Sequence, residues 1–339
     1  MLKKRILISA LLLLPLPVLV TSLFVGIYSI DPFTVLSILA KRVSDPLGSA
    51  PWPEVYETIV FNIRMPRVLL ALVGGIALSV SGASLQGVFR NPLVDTYILG
   101  VSAGAGLGAA IGIAYFAGIP GSVQFLSFAM GFAAFFTTYT VAKSKGETPV
   151  ISLVLAGVIV TALFSALLSI IKFFTESEKL AGVVYWMMGS LAVTGWGSLS
   201  QTAPLILVGF AIVFLMRWRI NVLSMGDEEA KALGVNVGRD RFVVLLASTL
   251  MVSAFVSVAG IIGWIGLVVP HTVRMLLGTP DNRVVVPVSA SLGAVFLMVA
   301  DDLARSVASF ELPVGVITTL VGAPFFLYLL KLRGGSAWK

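Results

Sequence analysis

Arg64-Met65-Pro66-Arg67 at one end, and Gly82-Ala83-Ser84-Leu85-Gln86-Gly87 with Arg90-Asn91-Pro92-Leu93 at the other, bracket a single apolar segment. That segment exceeds the roughly 20 apolar residues a helix needs to cross hydrocarbon. Polar groups kept at the ends of such a crossing are costly to hold there, so they mark contacts with a partner, a path or another helix. The rest of the chain reads the same way. It has 339 residues, 58% hydrophobic and 12% charged, with a mean hydropathy of +1.02, and soluble domains carry about twice that charged fraction. The chain is therefore an integral membrane protein. Absence of cysteine excludes disulfide frameworks, thiolate zinc sites and cysteine nucleophiles. A single histidine, His271, excludes histidine-rich metal centres. The net charge of +7 comes from cations at the ends of apolar runs, which is the pattern of topology-setting charge and not of nucleic-acid binding.

Ten apolar runs are long enough to be spans: 6–28, 59–88, 95–117, 121–142, 149–172, 200–217, 242–260, 262–277, 284–305 and 314–331. None alternates as barrel strands do, so the class is all-α. Lys3-Lys4-Arg5 precede an apolar run about twice the length of a signal-peptide core, and no Ala-x-Ala site follows. The first run is thus expected to be an uncleaved helix that starts in the cytoplasm, and an even number of spans returns the C-terminus there. With that orientation, sixteen of the 23 cations fall inside and seven outside, as the positive-inside rule requires. Lys41, Arg42, Arg64 and Arg67 are four of the seven outside cations and need a separate explanation. The expected plan is one transmembrane domain over 1–339, with an external loop at about 29–58, an amphipathic surface piece at about 183–195 and a cytoplasmic loop at about 218–241. Two five-helix halves could form an inverted repeat, a common transporter plan.

The remaining polar and glycine constellations are few. Gly100, Gly104, Gly108 and Gly112 repeat at i, i+4 and predict close helix packing, since the preceding strand and following acid of a dinucleotide fingerprint are missing. No Gly-x-x-x-x-Gly-Lys-Ser/Thr occurs. In the cytoplasmic loop, Ser224 and Asp227 have capping-box spacing, Asp227, Glu228 and Glu229 fill a first helical turn, and Gly234 suits a left-handed stop. The short helix so predicted is either a solvated connector or a rigid knob offered to a partner. Arg64 and Arg67, three apart, share a helix face, as interfacial anchors or as a charged contact surface. Arg305 has self-pairing options in Asp301 and Asp302. His271 lacks the second ligand of a metal site and reads as a hydrogen-bonded structural group. Gln86 reads as a helix-to-helix hydrogen-bonding group, Lys172 as a snorkelling cation, and Asn62 as a polar group near a span; each could also line a path.

The chain resembles the FecCD-type permease subunits of ABC importers, which move iron–siderophore complexes, haem, cobalamin and, in some members, molybdate. Besides the opening motifs, Leu99 to Gly104, Leu155-Ala156-Gly157, Asp227 to Val235, Gly266 to Arg274, Leu312 to Gly315 and Gly322 to Phe325 follow in family order. The resemblance implies a type II importer fold with a coupling helix between spans six and seven, and no catalytic residue. Asp227, Glu228, Glu229, Lys231, Leu233 and Gly234 would then meet an ATP-binding subunit. Arg64, Arg67 and Arg305 would receive acidic residues of an extracytoplasmic binding protein, and Glu147, Thr148 and Pro149 would sit at the cytoplasmic gate. It also implies pairing with a second copy, two P-loop ATP-binding subunits holding ATP and Mg, no cofactor or metal on this chain, and residence in the cell membrane. A metal chelate is the implied cargo, with an iron–siderophore complex first. The rivals are an ion-coupled secondary transporter, which needs paired acids at mid-membrane, and a membrane-embedded enzyme, whose motifs are absent.

Overall fold

In hydrocarbon a backbone must satisfy its own hydrogen bonds, and these apolar runs do so as helices. The computed structural model describes residues 2–44, 51–144, 148–307 and 310–333. In chain order the helices are α1 (Leu2–Leu13), α2 (Pro15–Ser22), α3 (Pro32–Ser44), α4 (Glu54–Thr58), a π-helical turn (Ile59–Arg64), α5 (Met65–Phe89), α6 (Val101–Tyr115), α7 (Ser122–Ala142), α8 (Val150–Phe174), α9 (Ser177–Met187), α10 (Trp196–Leu223), α11 (Asp227–Ala232), α12 (Val237–Ala259), α13 (Ile265–Leu277), α14 (Asn282–Ala304) and α15 (Val314–Arg333). Seven helical stretches among the described residues are long and apolar enough to cross a membrane, and three shorter apolar helices, α6, α13 and the Val314–Tyr328 part of α15, complete ten. These match the ten expected runs one for one.

Boundaries differ where local chemistry intervenes. The first run breaks at Leu14–Pro15 and its helix stops at Ser22, short of residue 28. The second begins earlier, because α4 and the π turn are continuous with α5. The 29–58 segment is not a plain loop; it carries α3 and α4. The surface helix is α9, which starts before the 183–195 expected for it and overlaps that stretch only as far as Met187. The eighth run is helical only from Ile265. The stretch from Gly260, the end of the seventh run, to Trp264 is non-helical, with φ of +70° at Gly260 and +72° at Trp264. Unwound backbone at membrane depth must find partners inside the protein. Here Tyr97 donates to Ile262 O at 2.8 Å and Ser190 N to Ala259 O at 2.7 Å.

The hub is α5. Apolar or small all round, it is buried along almost its whole length, as expected for a helix without a polar face. A Cβ on Gly75 would lie 2.1 Å from Gly293 O of α14, and one on Gly82 would lie 1.9 Å from Gly266 O of α13. Small residues let these backbones nearly touch, so dispersion acts where no hydrophobic effect operates between helices. The α6 glycine stripe does the same against α7, with Cβ positions on Gly104 and Gly108 at 2.3 and 2.1 Å from Met130 O and Leu126 O. Gly100 instead caps α6. At 25 residues and about 1.5 Å each, α5 separates two polar clusters at opposite ends of the bundle.

Candidate functional site

One cluster surrounds α11. The α10 helix runs past the expected end of its span to Leu223, and Gly226, at φ +143°, turns the chain into the short α11. No side chain caps this helix. Ser224 Oγ donates to Asn221 O, so the expected capping box does not form. Asp227 instead accepts from the Arg241 guanidinium of α12 at 2.6 Å, with Arg90 of the α5 end at 3.7 Å. Ala230 is buried against the body, whereas Glu228 is 89% exposed at its side chain and Leu233 57% exposed. Glu229 and Lys231 also lie on the outside. Gly234 takes φ +77° as expected, and Val235 N closes back onto Ala230 O at 3.0 Å. The result is a tethered knob, closed at its C-terminal end by Gly234, with a charged and apolar outer face.

The neighbouring helix ends are clamped together. Arg219 of α10 meets buried Asp240 of α12 at 2.7 Å. Asn221 donates to Asp281 at 2.6 Å and accepts from Asn282 N at 2.8 Å, joining α10 to the start of α14. Asp281 also caps α14, accepting from Arg283 N at 2.9 Å. The Arg283 side chain, helped by that amide and by Asn221, holds the Asp281 carboxyl down at about 2. Arg241 donates through Nη1 to Thr148 O, 2.8 Å away, just before α8. Of the expected gate residues, Thr148 is buried and Pro149 caps α8, while Glu147 lies outside the described residues.

The opposite cluster holds the three arginines expected to receive a binding protein. Arg64, Arg67 and Arg305 do converge, and in the single chain each is buried and paired within the fold. Arg67 holds Asp301 at 2.9 Å and Glu311 at 2.8 Å. Arg305 donates to Ser22 O at 2.8 Å and pairs with Asp302 and, at 3.6 Å, with Asp301. Arg64 has carbonyl partners, Leu23 O at 2.8 Å and Tyr28 O, and so closes the end of α2. The cause is charge balance: a buried arginine must be compensated, and three carboxylates and the end of α2 lie within reach. Self-pairing of Arg305, the competing reading, is what the structure contains. The same pairing neutralises Asp301 and Asp302, the two acids a secondary transporter would have used.

Other sequence readings resolve simply. Gln86 donates to Val94 O and Gly266 O and accepts from Arg274, linking α5 to α13. His271 is buried, with the Phe326 ring edge-on at 6.0 Å. Asn62 is exposed, and Lys172 is half-buried in the last turn of α8. Sequence reasoning missed Arg241, Asp240, Asn221 and Asp281. Each lies at a helix end and pairs with a residue of another helix, so no periodic spacing reveals it.

The FecCD transport family model matches residues 11–332. The chain belongs to the FecCD transport family. Its members are non-catalytic permease subunits of ABC importers, with ATP hydrolysis on a separate subunit. This FecCD permease is 43% identical over 281 residues to the cobalamin import system permease protein BtuC of Halobacterium salinarum, covering 83% of this chain and 75% of that one. It is 35% identical over 320 residues to the molybdate import system permease protein MolB of Haemophilus influenzae, covering 93% of each. Its fold superposes on a solved structure described as an inward-facing metal-chelate type ABC transporter, with a TM-score of 0.84, 33% identity and coverage of 96% and 99%. The α11 knob of this FecCD permease therefore sits in a multi-pass importer subunit.

Proposed function

We propose that this FecCD permease forms, with a second copy of itself, the membrane path of an importer for a metal chelate, an iron–siderophore complex first among them. A binding protein delivers the chelate on the Arg67 side, and two P-loop ATP-binding subunits carrying ATP and Mg act on α11 from the cytoplasm. The carrying observation is α11 itself: a six-residue helix, exposed on one side and ion-paired on the other. A tethered rigid knob transmits force, whereas a loose connector would dissipate it.

The unpartnered helix faces support a chelate as cargo. Ile151, Leu155, Val158 and Ile159 of α8, and Leu320, Val321 and Leu327 of α15, stay exposed in the single chain. No charged residue occurs from Val150 to Ile171 or from Val314 to Leu330. A path between such faces would strip a small oxyanion of water and give nothing back. A chelate that wraps its metal in an organic shell crosses it at lower cost. The charge bias of the sequence supports a cytoplasmic side for α11 and both termini.

The test is ATP-dependent uptake by the reconstituted transporter of radiolabelled ferric siderophore, haemin, cobalamin and molybdate. The expected result is uptake of a chelate with molybdate excluded, and none by the permease alone. Uptake of molybdate only would overturn the cargo class, and gradient-driven accumulation by the lone chain would overturn the importer reading.

A further inference from the structure

We propose that Arg241 is the positioning residue that carries movement of α11 to the start of α8. The inference rests on reading α11 as the element worked by the ATP-binding subunit. Covalently, α11 continues only into α10 and α12. Those two are locked to each other by Arg219–Asp240, and α10 is locked to α14 through Asn221. The start of α8 is distant in sequence, and Arg241 reaches it across 93 positions. One guanidinium nitrogen grips Asp227, the first residue of α11, at 2.6 Å. The other donates to Thr148 O at 2.8 Å, two residues before α8 begins. The fork is planar and rigid, so displacing one acceptor must displace the other or break a bond.

Burial separates this contact from its neighbour. Arg90 also approaches Asp227, but at 3.7 Å and with its side chain 42% exposed, so solvent screens it. The Arg241 side chain is 3% exposed. A buried ion pair is a poor stabilising device, since apolar groups of equal volume often do better. Holding a surface helix to a main-chain carbonyl just ahead of another helix is a task that apolar packing cannot do with comparable direction.

The experiment uses the complete transporter in proteoliposomes, with Arg241→Lys and Arg241→Gln in the permease. Lysine keeps the charge but cannot hold both acceptors in a fixed fork, and glutamine loses the ion pair with Asp227. The chain has no cysteine, so spin labels at Ala232→Cys on α11 and Ile151→Cys on α8 report their separation cleanly. The expected result for both variants is a bound ATP-binding subunit that still hydrolyses ATP. Cargo moved per ATP falls about tenfold, and the α11–α8 separation, constant through the nucleotide cycle when Arg241 is present, now changes with nucleotide. A constant separation with unchanged cargo per ATP in either folded variant overturns the proposal. Leu233→Asp on the outer face of α11 tests the underlying reading separately: it should release the ATP-binding subunit, and full binding and transport by that variant would remove the reading itself.

Discussion

Arg67 shows how much of the outer end of the bundle hangs on one side chain. It is 4% exposed and links Asp301 of α14 with Glu311 of the segment leading to α15. Arg67→Gln leaves Asp301, 1% exposed, with Arg305 at 3.6 Å as its cation among the described residues, and breaking a buried ion pair costs about 3–5 kcal/mol. Thermal unfolding in detergent should show a large loss of Tm for Arg67→Gln and a much smaller one for Glu311→Gln, because Glu311 is partly solvated. Equal losses would contradict the network. Asp281 gives a pH signature. Its folded pKa of about 2 lies below the ordinary 3.8, so its contribution is fully present above about pH 4 and is lost as pH falls through 2. Asp281→Ala should cost about 1 kcal/mol as a lost cap at pH 7, and the Tm gap to wild type should narrow between about pH 4 and 2. A gap independent of pH would show that the carboxylate is not the cap.

At the scale of elements, spans were readable because hydrophobic length fixes them. The α6 stripe was readable because i, i+4 glycine spacing has one physical use in hydrocarbon. Gly108→Leu should force α6 from α7, since a Cβ alone comes within 2.1 Å of Leu126 O; overpacking costs about 1–3 kcal/mol or more. Reduced Tm and lower yield of folded protein are the readout, and an unchanged Tm would deny the contact. Helix α11 was legible in its acids and in Gly234 but not in its tether. Arg241 sits on another helix and its partners share no periodicity with it. The inward turn of Arg64, Arg67 and Arg305 was illegible for the same reason, because their compensating groups arrive from α2, α14 and the 311 segment. Gly234→Val should strain the φ +77° stop by about 1–2 kcal/mol and lower uptake more than it lowers ATP hydrolysis.

At the scale of the molecule, α5 spans from the arginine–carboxylate cluster to the Asp227 cluster, and the five other helix ends around α11 are bound to one another or to α11. A displacement applied there meets a connected framework rather than a loop. The proposed function accordingly requires α11 to be the point at which an outside nucleotide cycle enters this chain. The most direct test replaces residues 226–235 with a Gly/Ser linker of equal length and measures ATP-driven uptake of ferric siderophore into proteoliposomes containing the whole transporter. Uptake should vanish while the remaining helices keep their folded circular-dichroism signature. Uptake at the unmodified rate would contradict the account.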